Sequence, residues 1–262
     1  MSDELRNSLW NLFYSLYDNS NWEYWKPVAT HVARFFRKVP VDELPYRNND
    51  CRKWLKEYFF AVEWYEAYDL VEFLAVNHQH MTCIPIGTYD AHRHAVNNER
   101  LLKAMNTILE QELSGYRFIS GVLSPIATPV EVETIEDATN AAVSKGFQGA
   151  HEHLRAALRL LGKKPDPDYR NSIKESISAV ESVAKLISGE EGGGLDVALT
   201  SLSNTAGIHG ALRSGFLKLY GYSSDEDGIR TCYIGTVECR LCRGEVHARS
   251  MLSLCQLPHK QS

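Results

Sequence analysis

Apolar residues recur every three or four positions along most of the chain, which is the spacing of one helix face. In the first segment, Leu5, Leu9 and Leu16 share such a face. Between residues 51 and 76, aromatic rings interleaved with glutamates predict a helix that is apolar on most sides and buried at the centre of a domain. The same spacing predicts further helices over about 96–113, 154–161, 173–187 and 208–219.

The pattern changes between residues 116 and 126, where β-branched and aromatic residues surround Gly121 and are followed by Pro125 and Pro129. Such a segment predicts a short strand or hairpin, and it is also the natural joint between two domains. The sequence therefore predicts a mainly α fold: two helical domains with a short β-hairpin at the joint.

Composition agrees with an ordinary globular protein, because 44% of the 262 residues are hydrophobic and 23% are charged. No apolar run approaches the roughly 20 residues that cross a bilayer, so we expect no membrane association. The polar segment Met1–Asn7 resembles neither a signal nor a transit peptide, so we expect a cytoplasmic protein whose six cysteines stay reduced. The net charge of -5 argues against a constitutive, charge-driven nucleic-acid binder, but it leaves room for a local basic cleft.

Several long segments resemble one family. The segments 3–14, 58–74, 112–126, 168–187 and 208–230 are similar to bacterial abortive-infection proteins that carry the fourth type of AbiJ N-terminal domain, followed by a HEPN-like helical bundle. The resemblance implies phage defence, in which an infected cell shuts itself down. It divides the chain into an AbiJ-type domain, a hairpin and connector, a HEPN-like domain and a tail, over residues 1–115, 116–145, 146–230 and 231–262.

The HEPN resemblance implies two kinds of activity. Many HEPN domains are ribonucleases with an Arg-x4-6-His motif, in which histidine transfers protons and arginine holds the scissile phosphate while the RNA 2′-hydroxyl attacks. Such an enzyme needs no metal and no cofactor, and RNA rather than DNA is its partner. Other HEPN domains are non-catalytic modules for binding, dimerisation or sensing. In either case the resemblance implies a homo-oligomer formed through this domain.

The family pattern is interrupted after Arg230. Relatives continue from Gly-Ile-Arg into His-Ala and a last apolar helix, whereas this chain continues with Thr231 and Cys232. Back-translation of the tail with synonymous codons and a one-base shift yields a segment that begins His-Ala and continues as an apolar helix. We therefore hypothesise a frameshift near Arg230, in the gene or in its recorded sequence, and expect ribonuclease activity to be weak or absent.

The remaining candidates for a ribonuclease cleft are Arg230, His209, Arg213, Arg170 and Asn171. His209 and Arg213 are four residues apart and meet on one helix face, and the Arg170–Asn171 pair opens a neighbouring helix. The simpler interpretation, which we favour for His209 and Arg170, is that they make helix-end hydrogen bonds and surface ion pairs.

Other motifs in the chain suggest metal chemistry only weakly. The tail cysteines, with Cys239 and Cys242 as a single CxxC pair, lack a second pair, and Arg240 and His247 match the ribonuclease spacing only inside the shifted tail. Three His-x-His pairs, at 78–80, 92–94 and 151–153, leave a metal-dependent enzyme as a rival hypothesis. We place the first two pairs in a loop, and we predict surface histidines rather than metal ligands.

Overall fold

The structure is a computed structural model that describes residues 1–19, 22–82, 98–190 and 192–224. It is mainly helical with a small antiparallel hairpin between helical segments, so the predicted fold class is confirmed. The chain divides into two compact units, residues 1–123 and residues 124–262. None of the helices in the described part of the chain combines the length and apolar character that a bilayer span requires.

The N-terminal unit is built from five helices and short strand pairs within its described residues. These elements are α1 (Asp3–Tyr17), β1 (Asp18–Asn19), β2 (Trp22–Glu23), α2 (Trp25–His31), α3 (Asn48–Ala61), α4 (Trp64–Thr82), α5 (Asn98–Gln111), β3 (Arg117–Ile119) and β4 (Val122–Ser124). Helix α2 continues into a wider π-helical turn, Val32–Arg37, and a 3-10 turn follows at Val41–Glu43. Strands β1 and β2 pair antiparallel.

Aromatic rings fill the interior of the N-terminal unit. Trp25 is fully buried, and the ring of Trp10 stacks on it with centroids 5.4 Å apart. Phe59 also stacks on Trp10, at 6.0 Å, and Tyr17 meets Trp25 edge-on at 5.4 Å. Because a buried large side chain contributes roughly 1.5–3 kcal/mol, this cluster joins α1, α2 and α3 into one core.

The aromatic segment 51–76 does not form one helix, and the prediction of a single helix there is wrong. The helix ends at Ala61, Val62 is extended with ψ 161°, and α4 begins two residues later. The guanidinium of Arg6, which is buried, donates hydrogen bonds to the carbonyl of Phe59 and, at 2.8 Å, to that of Val62. The last carbonyl groups of a helix have no N–H partner within the helix, and Arg6 supplies the missing donors at the end of α3.

The predicted hairpin is present as β3 and β4. Ser120 and Gly121 have φ of 50° and 81°, the left-handed pair that a two-residue turn needs to match the twist of its strands. The side chain of Asn106 accepts a hydrogen bond from the Phe118 N–H at 2.7 Å and donates one to the Phe118 carbonyl at 2.9 Å. Asn106 therefore bonds β3 as a neighbouring strand would, and it fixes the hairpin against α5.

The C-terminal unit is a series of helices in its described residues. They are α6 (Pro129–Ser144), α7 (Gln148–Leu161), α8 (Tyr169–Ser188), α9 (Leu195–Thr205) and α10 (Gly210–Ser224). Helices α6 and α9 were not predicted from the periodicity, and α6 occupies much of the segment 116–145, where a hairpin and connector were expected. The buried face of α6 explains this, since it presents mainly small residues that give little periodic signal.

Helices α7 and α8 approach each other closely because small residues line their contact. The Ser172 hydroxyl donates to the Ala157 carbonyl on α7 at 2.8 Å, and both residues are fully buried. A Cβ atom added at Gly149 would lie only 2.8 Å from the Ser182 hydroxyl oxygen. The helix pair therefore depends on residues with little or no side chain at its points of contact.

Candidate functional site

Two of the predicted site residues lie in the first turn of α8. The carboxylate of Asp168 accepts hydrogen bonds from the Asn171 backbone N–H at 3.1 Å and from the Asn171 side-chain amide at 2.8 Å. Arg170 is half-buried, and its Nε is buried without a hydrogen-bond partner among the described residues. Asn171 is therefore engaged in capping its own helix, whereas Arg170 retains an unused donor.

Two further predicted residues lie at the start of α10. His209 is exposed, and its Nδ1 accepts a hydrogen bond from the Ala211 N–H at 3.2 Å, which is the helix-end hydrogen bond expected of it. The His209 carbonyl accepts from the N–H of Arg213 at 3.1 Å. The Arg213 side chain resembles that of Arg170, since its Nε is buried and lacks a partner in the part of the chain that the structure describes.

The hydrogen bonds do not link the two groups of predicted residues. No hydrogen bond or ion pair within the described ranges connects Arg170 or Asn171 with His209 or Arg213. Arg230 lies outside the described residues, as do the tail cysteines and the segment 240–247. A grouping of these side chains around one RNA phosphate remains a prediction.

The histidine pairs are arranged differently from the expectation. His78 and His80 lie in the last turns of α4, not in a loop, and point in different directions, since His78 is 2% exposed and His80 is exposed. His153 on α7 pairs with Glu175 on α8 at 2.7 Å. His92 and His94 lie outside the described residues. Among the residues that are described, no three potential ligands are close enough to hold a metal ion.

His78 belongs to the core of the N-terminal unit. Its ring lies 5.8 Å from the ring of Tyr17, which is also buried. Burial lowers the pKa of His78 and raises the pKa of Tyr17, because an apolar surrounding disfavours the charged form of each group. The neutral imidazole therefore serves packing.

The N-terminal unit also contains a concentration of positive charge that none of the sequence motifs indicates. Residues 26–56 include eight lysines and arginines and three acids, a net charge of +5 in a chain whose formal net charge is -5. Aromatic residues alternate with these cations, as in Arg34–Phe35–Phe36–Arg37. A charge sum over a sliding segment detects this feature, whereas the sum over the whole chain conceals it.

Helix α2 and the π-helical turn that follows it line a concave pocket of about 300 Å³. Its walls within the described part of the chain are Lys26, Pro27, Thr30, His31, Arg34 and Phe35. Burial is the main cause that lowers the pKa of His31, with a smaller contribution from the neighbouring Arg34 charge. The imidazole is therefore neutral near pH 7, and the positive charge of the pocket comes from Lys26 and Arg34.

Rings flank these cations on the same surface. The Lys26 Nζ lies 4.1 Å from the centroid of Tyr46, which is 86% exposed. Phe35, which is 55% exposed, has the Arg34 guanidinium 5.9 Å from its centroid. The Arg37 guanidinium lies 4.3 Å from the centroid of Tyr58. We call Lys26, Arg34, Phe35 and Tyr46 the basic–aromatic face.

The cations of this face are not neutralised by acids. Within the described residues, no carboxylate forms an ion pair with Lys26 or Arg34, whereas Lys53 lies 4.0 Å from Asp50. Exposed rings beside unneutralised cations form a surface that can bind phosphates and stack planar groups.

Comparison with family models identifies the N-terminal part of the chain. A model described as AbiJ N-terminal domain 4 matches residues 1–141, which is more than half of the 262 residues. The chain belongs to the AbiJ N-terminal domain 4 family. The AbiJ domain indicates a role in abortive infection, a form of phage defence. Comparisons with curated proteins and with solved structures give no significant match.

The AbiJ match separates the two candidate regions. It includes the whole N-terminal unit, with the basic–aromatic face, and it ends at residue 141 within α6. Arg170, Asn171, His209, Arg213 and Arg230 all lie beyond it. The AbiJ family assignment therefore extends to the positively charged surface but not to the predicted ribonuclease residues.

Proposed function

We propose that this AbiJ-family chain is a cytoplasmic abortive-infection component with a HEPN-like C-terminal domain related to metal-independent ribonucleases. RNA is its target, and two copies pair through this domain. Cleavage is weak or absent in the present chain, because Thr231 stands where the resemblance predicts histidine. The imidazole that would transfer protons in RNA cleavage is therefore missing from that position.

One observation supports an RNA-directed ancestry. Arg170 and Arg213 each keep a buried Nε donor that has no acceptor within the described residues. An unsatisfied buried donor is costly, by about 1–3 kcal/mol, and a bound phosphate oxygen would satisfy it. Both residues lie at the beginnings of helices, where backbone N–H groups also favour an anion.

A non-catalytic binding, dimerisation or sensor module is the second candidate. It is favoured by the hydrogen bond from the Ala211 N–H to the His209 Nδ1 at 3.2 Å, since an imidazole that caps a helix is less available for proton transfer. This candidate also accounts for Asn171, whose side chain is bonded to Asp168.

The two candidates differ in how they respond to repair of the reading frame. The experiment compares the purified chain with a frame-restored version, in which residues 231–262 are replaced by the shifted reading that begins His-Ala, and with Arg230→Ala in each background. Labelled RNA is incubated with each protein in the presence of a metal chelator. We expect cleavage only by the frame-restored version, reduced about 10²–10³-fold by Arg230→Ala through loss of charge stabilisation.

Each other outcome is informative. Cleavage of RNA by the present chain, lost on Arg230→Ala, would contradict the inactive state proposed for it. A frame-restored protein that is more stable but leaves RNA intact would favour the non-catalytic module. Sedimentation of the frame-restored protein as a monomer at micromolar concentration would contradict pairing through the HEPN-like domain.

A further inference from the structure

We propose that the basic–aromatic face of the N-terminal unit binds single-stranded nucleic acid. This function does not rest on the proposed ribonuclease relationship, since it resides in different residues and requires no cleavage. The inference follows from the charge of the face, from its exposed rings and from the short distances between its cations and its rings.

The charge of the face selects a polyanion. A net charge of +5 over residues 26–56, within a chain of net charge -5, leaves the rest of the molecule strongly acidic. A polyanion is therefore attracted to this segment and repelled elsewhere, which determines the side from which it approaches. Lys26 and Arg34 are exposed and available to phosphates, because neither forms an ion pair with a carboxylate among the described residues.

The exposed rings favour nucleic acid over an acidic protein. Phe35 and Tyr46 are 55% and 86% exposed, although large apolar rings are usually shielded from water. Each ring has a cation of the face over one side, the Lys26 Nζ 4.1 Å from the Tyr46 centroid and the Arg34 guanidinium 5.9 Å from the Phe35 centroid, which leaves the other side for a base. Bases stack on such rings while the cations bind the backbone, and a nucleic acid supplies an aromatic base beside every phosphate, which the acidic residues of a peptide do not.

Unpaired bases are required for this mode of binding. In a duplex the faces of the bases are covered by their neighbours, so a surface that stacks bases favours single strands. The pocket of about 300 Å³ has Lys26 and Arg34 in its walls next to the Phe35 ring, so cations and a ring line the same concave surface. Either RNA or DNA supplies this chemistry, and the experiment includes both.

The test measures binding of the full chain to a fluorescein-labelled 12-nucleotide single strand, as RNA and as DNA, by fluorescence anisotropy in a metal chelator. The face variant combines Lys26→Gln and Arg34→Gln. The matched control combines Arg100→Gln and Lys103→Gln, two exposed cations on α5 of the same unit, and removes the same charge. We expect the face variant to bind at least about tenfold more weakly and the control to bind like the parent.

Salt dependence tests whether Lys26 and Arg34 contact phosphates. Each phosphate contact on a single strand contributes a slope of about -0.7 to the plot of log affinity against log salt concentration. We expect the face variant to flatten this slope by roughly 1.4, since it loses two contacts, and the α5 control to leave it unchanged.

Stacking is tested separately through the rings. Tyr46→Ala and Phe35→Ala should each weaken binding at least about fivefold, and Tyr46→Phe, which keeps the ring, should retain it. Helical circular dichroism of each variant shows that the fold is intact, as expected for exposed positions.

Several results would overturn the inference. These are equal weakening by the face variant and the α5 control, tighter binding to duplex than to single strands, or binding of polyglutamate with no binding of either nucleic acid. The last result would assign the face to an acidic protein partner. Failure of the frame-restored protein to cleave RNA would leave this inference unaffected, because binding is measured without cleavage.

Discussion

The interiors of the two units are built on different principles. Large rings such as Trp10, Trp25 and Phe59 fill the N-terminal unit, whereas small residues such as Ala157 and Ser172 line the contact between α7 and α8. A core of large rings loses stability when a ring is truncated, because a cavity remains. A close helix contact loses stability when a side chain is enlarged, because there is no space for the added atoms. Truncation should therefore damage the first unit most, and enlargement the second.

The surfaces of the units differ as well. The N-terminal unit presents unneutralised cations beside exposed rings, whereas the predicted site residues of the C-terminal unit are partly engaged in capping helices, as Asn171 and His209 are. The AbiJ family match includes the first surface and stops short of the second. Two of the residues that the sequence motifs emphasised, Asn171 and His209, are thus already bonded within their own helix starts.

The largest effect is expected from truncation in the N-terminal unit. Trp25→Ala should lower the free energy of unfolding by about 3–5 kcal/mol, because the side chain is fully buried, stacks on Trp10 and meets Tyr17 edge-on. Urea denaturation followed by circular dichroism measures this loss. Phe35→Ala is the matched control, since that ring is 55% exposed and should change stability by less than about 0.5 kcal/mol. Equal losses in the two variants would contradict a core built on buried rings.

Enlargement should be the more damaging change between α7 and α8. Ala157→Leu should cost about 1–3 kcal/mol, because Ala157 is fully buried and its carbonyl accepts the Ser172 hydroxyl at 2.8 Å. The same denaturation experiment measures the effect, and Ala211→Leu on the exposed face of α10 serves as control. A stabilising Ala157→Leu substitution would show that the contact contains unfilled space.

The smallest effect is a pH dependence that arises in the N-terminal unit. Burial lowers the pKa of His78 below 6.5, its value in the unfolded chain, so the unfolded state binds the proton more tightly. Stability should be fully present above about pH 6.5 and decline as the pH falls below it. His78→Leu should flatten this decline, and His80→Gln, at an exposed position on the same helix, should preserve it. An unchanged decline in His78→Leu would assign it to other groups, among them His31, whose pKa burial also lowers.

Local signals in the sequence predicted the elements that depend on local rules. The leucine spacing identified α1, and the residues around Gly121 identified the hairpin, whose turn needs only two positive φ angles. The break between α3 and α4 was missed because the group that bonds the end of α3 is Arg6, which is 53 residues away from Phe59 in the chain. No pattern within residues 51–76 contains that information.

The candidate sites show the same difference between local sequence signals and contacts that form only on folding. A motif search leads to Arg230 and His209 because it follows residue types at fixed spacing, but spacing alone does not show that His209 caps α10. The basic–aromatic face has no motif, since Lys26 and Tyr46 are 20 residues apart and meet only through folding. Its charge was visible in the sequence, but only when residues 26–56 are counted apart from an acidic chain.

The bond between Arg6 and the end of α3 has a consequence for the order of events during synthesis. Arg6 leaves the ribosome before the carbonyl groups of Phe59 and Val62 have been made, 53 and 56 residues later. Until then neither acceptor is available to the guanidinium, so α1 cannot form these native bonds as the chain emerges. Closure of the N-terminal unit is thus a late, non-local step, because it requires contact between α1 and the corner that joins α3 to α4.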